Sequence, residues 1–88
     1  METRKLEKIV KGFSNHRRIE ILALLDRHPG LSLMDISKEL HANFKTIADH
    51  TRRLTHAGLV SKKNFGAAVE HAVSPLGRLI LKFLRTLE

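Results

Sequence analysis

Residues 32–60 read SLMDISKELHANFKTIADHTRRLTHAGLV, and the spacing within this stretch decides the fold. Ser32, with Asp35 three positions on, has the form of a capping box. Leu33, Ile36 and Leu40 then recur at helical spacing, with Lys38 and Glu39 on the other side, which predicts a short helix. His41-Ala42 leaves room only for a tight connection. Asn43 is a natural cap for a second helix reaching His56 or Ala57, and Gly58 supplies a left-handed stop. In that second helix Ile47, Thr51 and Leu54 share the inward side. Lys45, Asp49, Arg52 and His56 fall on the opposite line, flanked by Thr46 and Arg53.

Upstream, Leu6, Ile9, Val10 and Phe13 form one apolar stripe on a helix over residues 2–13, with Arg4, Lys5, Lys8 and Lys11 on the remaining surface. Gly12, Ser14 and Asn15 suggest a break and a new cap. The helix expected over 15–27 is apolar nearly all round, with Ile19 and Ile21 to Leu25, and so belongs at the centre of the core. His28-Pro29-Gly30 stops it, and Leu31 can form at most a short strand. Downstream the period changes. Leu59 to Lys63 and Ala68 to Val73 read as two strands, with Asn64-Phe65-Gly66 as turn residues. Ser74-Pro75 opens a last helix whose stripe is Leu76, Leu79, Ile80, Phe83, Leu84 and Leu87, with Leu81 off that stripe.

The expected fold class is therefore mainly α with a small β-hairpin, in one domain over residues 1–88. Its parts are an N-terminal helix (1–13), a helix-turn-helix (32–57), a basic hairpin or wing (59–73) and a C-terminal helix (75–87).

Eighty-eight residues leave no room for two cores. A chain of this size folds with a modest margin or gains stability by pairing with a copy of itself. Sixteen Lys+Arg against nine Asp+Glu give a net charge of +7, which points to an anionic partner such as nucleic acid. Cysteine is absent, so there is no thiolate metal cage and no cysteine nucleophile. None of the six His pairs with another at i, i+4, and no metal or other cofactor is expected. No phosphate loop, carboxylate pair or nucleophile–base grouping suggests an enzyme. No apolar run approaches the roughly 18–20 residues of a membrane span. Met1 to Lys5 is not followed by an uninterrupted apolar stretch, so the expected compartment is the cytoplasm. Without Trp or Tyr, a stacking platform for single-stranded bases is not expected.

Double-stranded DNA is the expected partner. An α-helix fits the major groove, where its first turn meets base edges and the rest follows the backbone. Lys45 could donate to guanine O6 and N7, and Thr46 could touch a thymine methyl or a phosphate. Asn43, Arg52, Arg53 and His56 complete the helix's contribution, and Lys62 and Lys63 extend it along the wing. Asp49, the single acid between residues 41 and 66, could accept from cytosine N4 as part of the DNA-contacting set, but is expected first to pair with Lys45, Arg52 or Arg53 and orient them. His71 is expected to be a partly buried, hydrogen-bonded residue, His50 to pack at the edge of the helix-turn-helix, and Phe65 to fold back onto the sheet. Two other readings use the same elements, a protein-interaction module and an RNA-binding module.

Asn43 to His50, then Leu54 to Val60, resembles the recognition helix and wing start of ArsR-like winged helix-turn-helix regulators. His71 to Arg78 is similar to the strand, Ser/Thr-Pro-x-Gly-Arg and terminal-helix segment of that group, and Asn15 to Leu22 is similar to the start of its second helix. The resemblance covers nearly the whole chain. It implies transcriptional control by a homodimer that pairs through the first and last helices. The residues placed there are Leu6, Ile9, Val10, Phe13, Leu79, Ile80, Phe83, Leu84 and Leu87. Where many members carry metal-sensing cysteines this chain has Leu31 to Asp35, and its last helix holds no His, so metal sensing is not implied. Thr51 and Arg53 stand at positions usually apolar in the group, and His71 where an aromatic is common.

Overall fold

The computed structural model describes all 88 residues. Its elements are α1 (Thr3–Phe13), α2 (His16–Arg27), α3 (Leu33–Leu40), α4 (Phe44–His56), β1 (Val60–Phe65), β2 (Ala68–Val73) and α5 (Pro75–Arg85). Each helix from α2 onward starts where a short polar side chain can satisfy its orphan N–H groups. The Asn15 side chain accepts from the N–H groups of Arg17 and Arg18, and Ser32 and Asp35 close a full capping box. Asn43 Oδ1 accepts from Thr46 N at 3.1 Å, and Ser74 Oγ from Gly77 N at 3.0 Å.

The core centres on α2, whose Ile21, Leu22, Leu24 and Leu25 are buried with Ile36 of α3, Ile47 and Leu54 of α4, and Leu59, Val60, Val73 and Leu81. The near all-round apolar surface of α2 thus has its expected consequence, a helix surrounded by its neighbours. Between α3 and α4 the chain turns through His41, which adopts the left-handed conformation at φ 50°. Sequence spacing foretold the tightness of this joint but not which residue would bear that conformation.

β1 and β2 pair antiparallel from Val60↔Val73 to Phe65↔Ala68. The turn is therefore Gly66-Ala67, with Gly66 at φ 58°, and Asn64 and Phe65 belong to the strand instead of the turn. A two-residue hairpin needs positive φ at its first central residue, which glycine adopts without strain, so Gly66 alone anchors the turn. Phe65 remains half exposed, with Lys63 Nζ 5.3 Å from its ring centroid. Leu31 forms a single bridge to His71, a strand of minimal length.

Gly12 precedes the break, which falls at Ser14 and Asn15 as the sequence reads it. It lies buried one residue before the helix end, and a Cβ there would overlap that of Ala57, so glycine lets α1 lie against the end of α4. Leu81, off the stripe of α5 as the sequence reads it, widens the apolar surface of that helix. It is the helix's buried anchor, while Leu79, Phe83 and Leu87 of the expected stripe stay exposed. The apolar surface of α5 is wide enough to have two sides. One packs inward through Leu76, Gly77, Ile80 and Leu81, and the other has no partner within the chain.

Candidate nucleic-acid interface

The orientation of α4 is set by burial. Ile47 and Leu54 are fully buried and Thr51 is 2% exposed, so rotation of this helix would drag apolar surface into water. The opposite edge must then face outward. All nine residues assigned to nucleic-acid contact by sequence reach the surface: Asn43, Lys45, Thr46, Arg52, Arg53, His56, Lys62 and Lys63 are exposed, and Asp49 is half-buried.

Their chemistry is not uniform. Lys45, in the first turn of α4, takes part in none of the chain's ion pairs. Asp49 bridges two guanidiniums, Arg52 Nη2 at 2.5 Å and Arg53 Nε at 3.3 Å. The hydrogen bond from Arg52 first, and then Arg53, holds the Asp49 carboxyl below the usual carboxylate range. Of the partners open to Asp49 it takes both arginines and leaves the lysine free. The Asn43 carboxamide oxygen is committed to the cap, which leaves its NH₂ group to donate outward.

The wing lysines part company. Successive strand residues point to opposite faces. Lys62 lines a cleft of about 260 Å³ between wing and α4, with Ala48, Thr51, Arg52 and Thr55 of the helix. Lys63 lies on the other face, beside Phe65, Glu70 and the Pro29-Gly30 turn. Only Lys62 is brought next to the recognition-helix residues. His71, at the back of the first cleft, is 4% exposed, and its Nδ1 donates to Leu31 O at 2.9 Å. It is a satisfied structural histidine, more deeply buried than the sequence suggested.

His50 meets a partner that sequence did not show. Arg18 Nε of α2 donates to His50 Nδ1 at 3.2 Å, and Arg18 Nη1 donates to Lys11 O at 2.8 Å and Gly12 O at 3.3 Å. Burial first, and then the positive charge of Arg18, push the imidazole below its ordinary value, which keeps it the neutral acceptor this geometry needs. One arginine thus joins the end of α1 to α2 and α4. Lys8 and Lys11 of α1 come beside Arg52, Arg53 and His56 across this junction, an extension of the basic surface beyond residues 41–66. Its sequence signal was the i, i+3 spacing of Lys8 and Lys11 on a helix with an outward basic face.

No three His, Cys, Asp or Glu side chains are grouped to hold a metal ion, and no helix is long and apolar enough to cross a membrane. A compact helix-turn-helix with a basic outward edge and a flanking hairpin defines a class of DNA-binding domain. Residues 14–61, more than half of the chain, match the winged helix-turn-helix DNA-binding family, and the chain belongs to that family. It is a family of DNA binders and not of enzymes.

Solved structures agree in fold and in kind. HlyU from Vibrio cholerae is 26% identical over 99% of this chain and 97% of its own, with a TM-score of 0.83. An ArsR-like transcriptional regulator from Rhodococcus sp. RHA1 is 28% identical over 96% of this chain and 74% of its own, with a TM-score of 0.77. A homodimeric winged helix-turn-helix domain from Mycobacterium bovis, 19% identical, covers 96% of this chain and 78% of its own with a TM-score of 0.86, which speaks to fold alone. The ArsR-like resemblance read from the sequence is thus met by the structures. Among curated proteins, none matches this chain.

Proposed function

We propose that this chain is a transcriptional regulator that binds double-stranded DNA sequence-specifically as a homodimer, with two recognition helices in successive major grooves. Residues 1–88 act as one winged helix-turn-helix domain, in which 32–57 carry the recognition unit and 59–73 the wing. The observation that carries the reading is the unpaired Lys45 in the first turn of a helix whose opposite edge is fixed by Ile47, Thr51 and Leu54.

In this reading Lys45 donates to guanine O6 and N7, and Thr46 meets a thymine methyl or the backbone. Arg52 and Arg53, held by Asp49, reach phosphates, as do the Asn43 NH₂ group, His56 and Lys62, while Lys63, on the other face of the wing, meets an adjacent backbone or the minor groove. The two-fold symmetry of a dimer sets half-sites about 34–36 Å apart or a multiple of that. The dimer would be formed by the exposed Leu6, Val10, Leu79, Phe83 and Leu87, with Ile9, Phe13, Ile80 and Leu84, which are partly buried within the chain, at its margin, and the M. bovis domain, itself homodimeric, supports pairing with a second copy. The related regulators from Vibrio and Rhodococcus support the transcriptional role.

Selection from a random duplex pool, followed by isotherms at several salt concentrations, tests the reading. Lys45→Ala should change the selected base at one position of each half-site. Lys62→Ala should weaken specific and random duplexes alike and reduce the log–log salt slope by about 0.9. No measurable duplex affinity at low salt would reject the proposal.

A further inference from the structure

Between α1 and the last turns of α4 lies a cleft of about 280 Å³. Its walls carry Lys8, Lys11, Arg18, Arg52, Arg53 and His56, and no acidic residue lines it. The carboxylates that pair with its lining residues are Glu7, with Lys11 at 3.7 Å, and Asp49, with the two α4 arginines, and neither lines the cleft. Lys8 and Arg18 have no carboxylate partner at all, although Arg18 is fixed in place by carbonyls and by His50. The floor is Gly12 against Ala57, a close approach that only a residue without Cβ permits. This approach is what converts two separate basic helix faces into opposing walls.

A concave site lined by one sign of charge focuses its field and raises the local concentration of the opposite ion. Guanidinium groups favour planar, multidentate contact with phosphate oxygens. We infer that this cleft is a phosphate-binding site, taking either a phosphodiester of the bound duplex or a free oligophosphate. In its duplex form the inference rests on the DNA-binding reading above. It adds to that reading a contact from α1, which would carry the footprint past the end of the recognition helix. In its free form it does not need that reading.

The test compares the whole wild-type chain with Lys8→Gln/Lys11→Gln and with a charge-matched control, Arg27→Gln/Lys82→Gln, exposed and outside the cleft. If a duplex phosphate fills the site, the cleft variant loses roughly tenfold or more in affinity for all duplexes. Its log–log salt slope then falls by about 1.8, and the control changes far less. If a free oligophosphate fills it, inorganic pyrophosphate shifts the Gly12 and Ala57 amide resonances of the wild type with one-site saturation. The cleft variant then shows no such shift, whether or not the wild type binds duplex. Duplex binding unchanged in the cleft variant together with no saturable pyrophosphate shift would overturn the inference and leave the DNA-binding reading intact. An equal loss in the control would overturn the duplex form, because net charge alone would then account for it.

Discussion

Thr51 sits on the buried face of α4 where a hydrocarbon would do the same packing, and its Oγ1 has no hydrogen-bond partner. A buried hydroxyl left unpaired costs roughly 1–3 kcal/mol. Thr and Val are both β-branched and restrict χ1 in the same way, so exchange removes the polar atom with little change in helix propensity. Thr51→Val is expected to stabilise the chain by about 1 kcal/mol, a rise in Tm of about 4–8 °C for a domain this small. Duplex affinity should not move, since Thr51 is 2% exposed and its hydroxyl makes no hydrogen bond. Thermal melts beside a binding isotherm check both halves, and a lower Tm would mean that the hydroxyl has a partner, such as an enclosed water. The residue-scale contrast with Asp49 is instructive. That carboxylate is an acid on a basic face, but it holds two arginines in fixed directions and so would favour the proposed phosphate contacts that its charge would otherwise oppose.

At the scale of elements, the Arg18–His50 bond is the joint between α2 and α4, and Arg18 ties the same point to the end of α1. Arg18, Arg53 and Arg17 all disfavour a charged imidazole here, and Asp49 only partly opposes them. A histidine whose folded pKa is depressed stabilises the fold fully above its unfolded value of about 6.5. That contribution is lost as pH falls through the lower folded value. The Tm of the wild type should therefore drop between pH 7 and 5 by more than that of His50→Gln, whose carboxamide oxygen can accept from Arg18 at every pH. Parallel pH slopes for the two proteins would dismiss the joint as a pH-sensitive element.

Elements also show what the sequence could and could not convey. Caps at Asn15, Ser32, Asn43 and Ser74, the seat of α4 on Ile47, Thr51 and Leu54, and the surface position of its basic edge were legible, because each follows from a local rule of spacing or capping. The Arg18–His50 bond, the burial of Leu81 and the Gly12–Ala57 approach were not. Each depends on how two helices distant in sequence come together. The hairpin illustrates the boundary between the two. Its strands were visible as alternation, but its turn was misplaced because Asn64 and Phe65 have turn chemistry or position without the positive φ that only Gly66 supplies.

For the molecule as a whole, the decisive feature is apolar surface that its own core leaves uncovered. Leu79 and Phe83 of α5 are 62% and 54% exposed and Leu87, just past its end, 68%, and Leu6 and Val10 of α1 are 46% and 51% exposed. Isolated exposed leucines are ordinary, but helical rows on the two terminal helices are the kind of surface a protein partner covers. In the proposed dimer a second copy of the chain would meet this need and would bring two recognition helices to one duplex, doubling the contacts without new chemistry. Light scattering at micromolar concentration should give twice the 10.0 kDa chain mass. Leu79→Glu/Phe83→Glu should halve that mass, because both side chains lie on the open side of α5 and their replacement leaves Leu81 and the core packing in place. The variant should also bind a two-half-site operator far more weakly than the wild type, while its affinity for a single half-site stays close to that of a wild-type subunit. A wild type that scatters as a monomer throughout this range would remove the dimer. It would leave the recognition helix to act from one half-site, where the few base contacts proposed for Lys45 and Thr46 would give little capacity to discriminate among sequences.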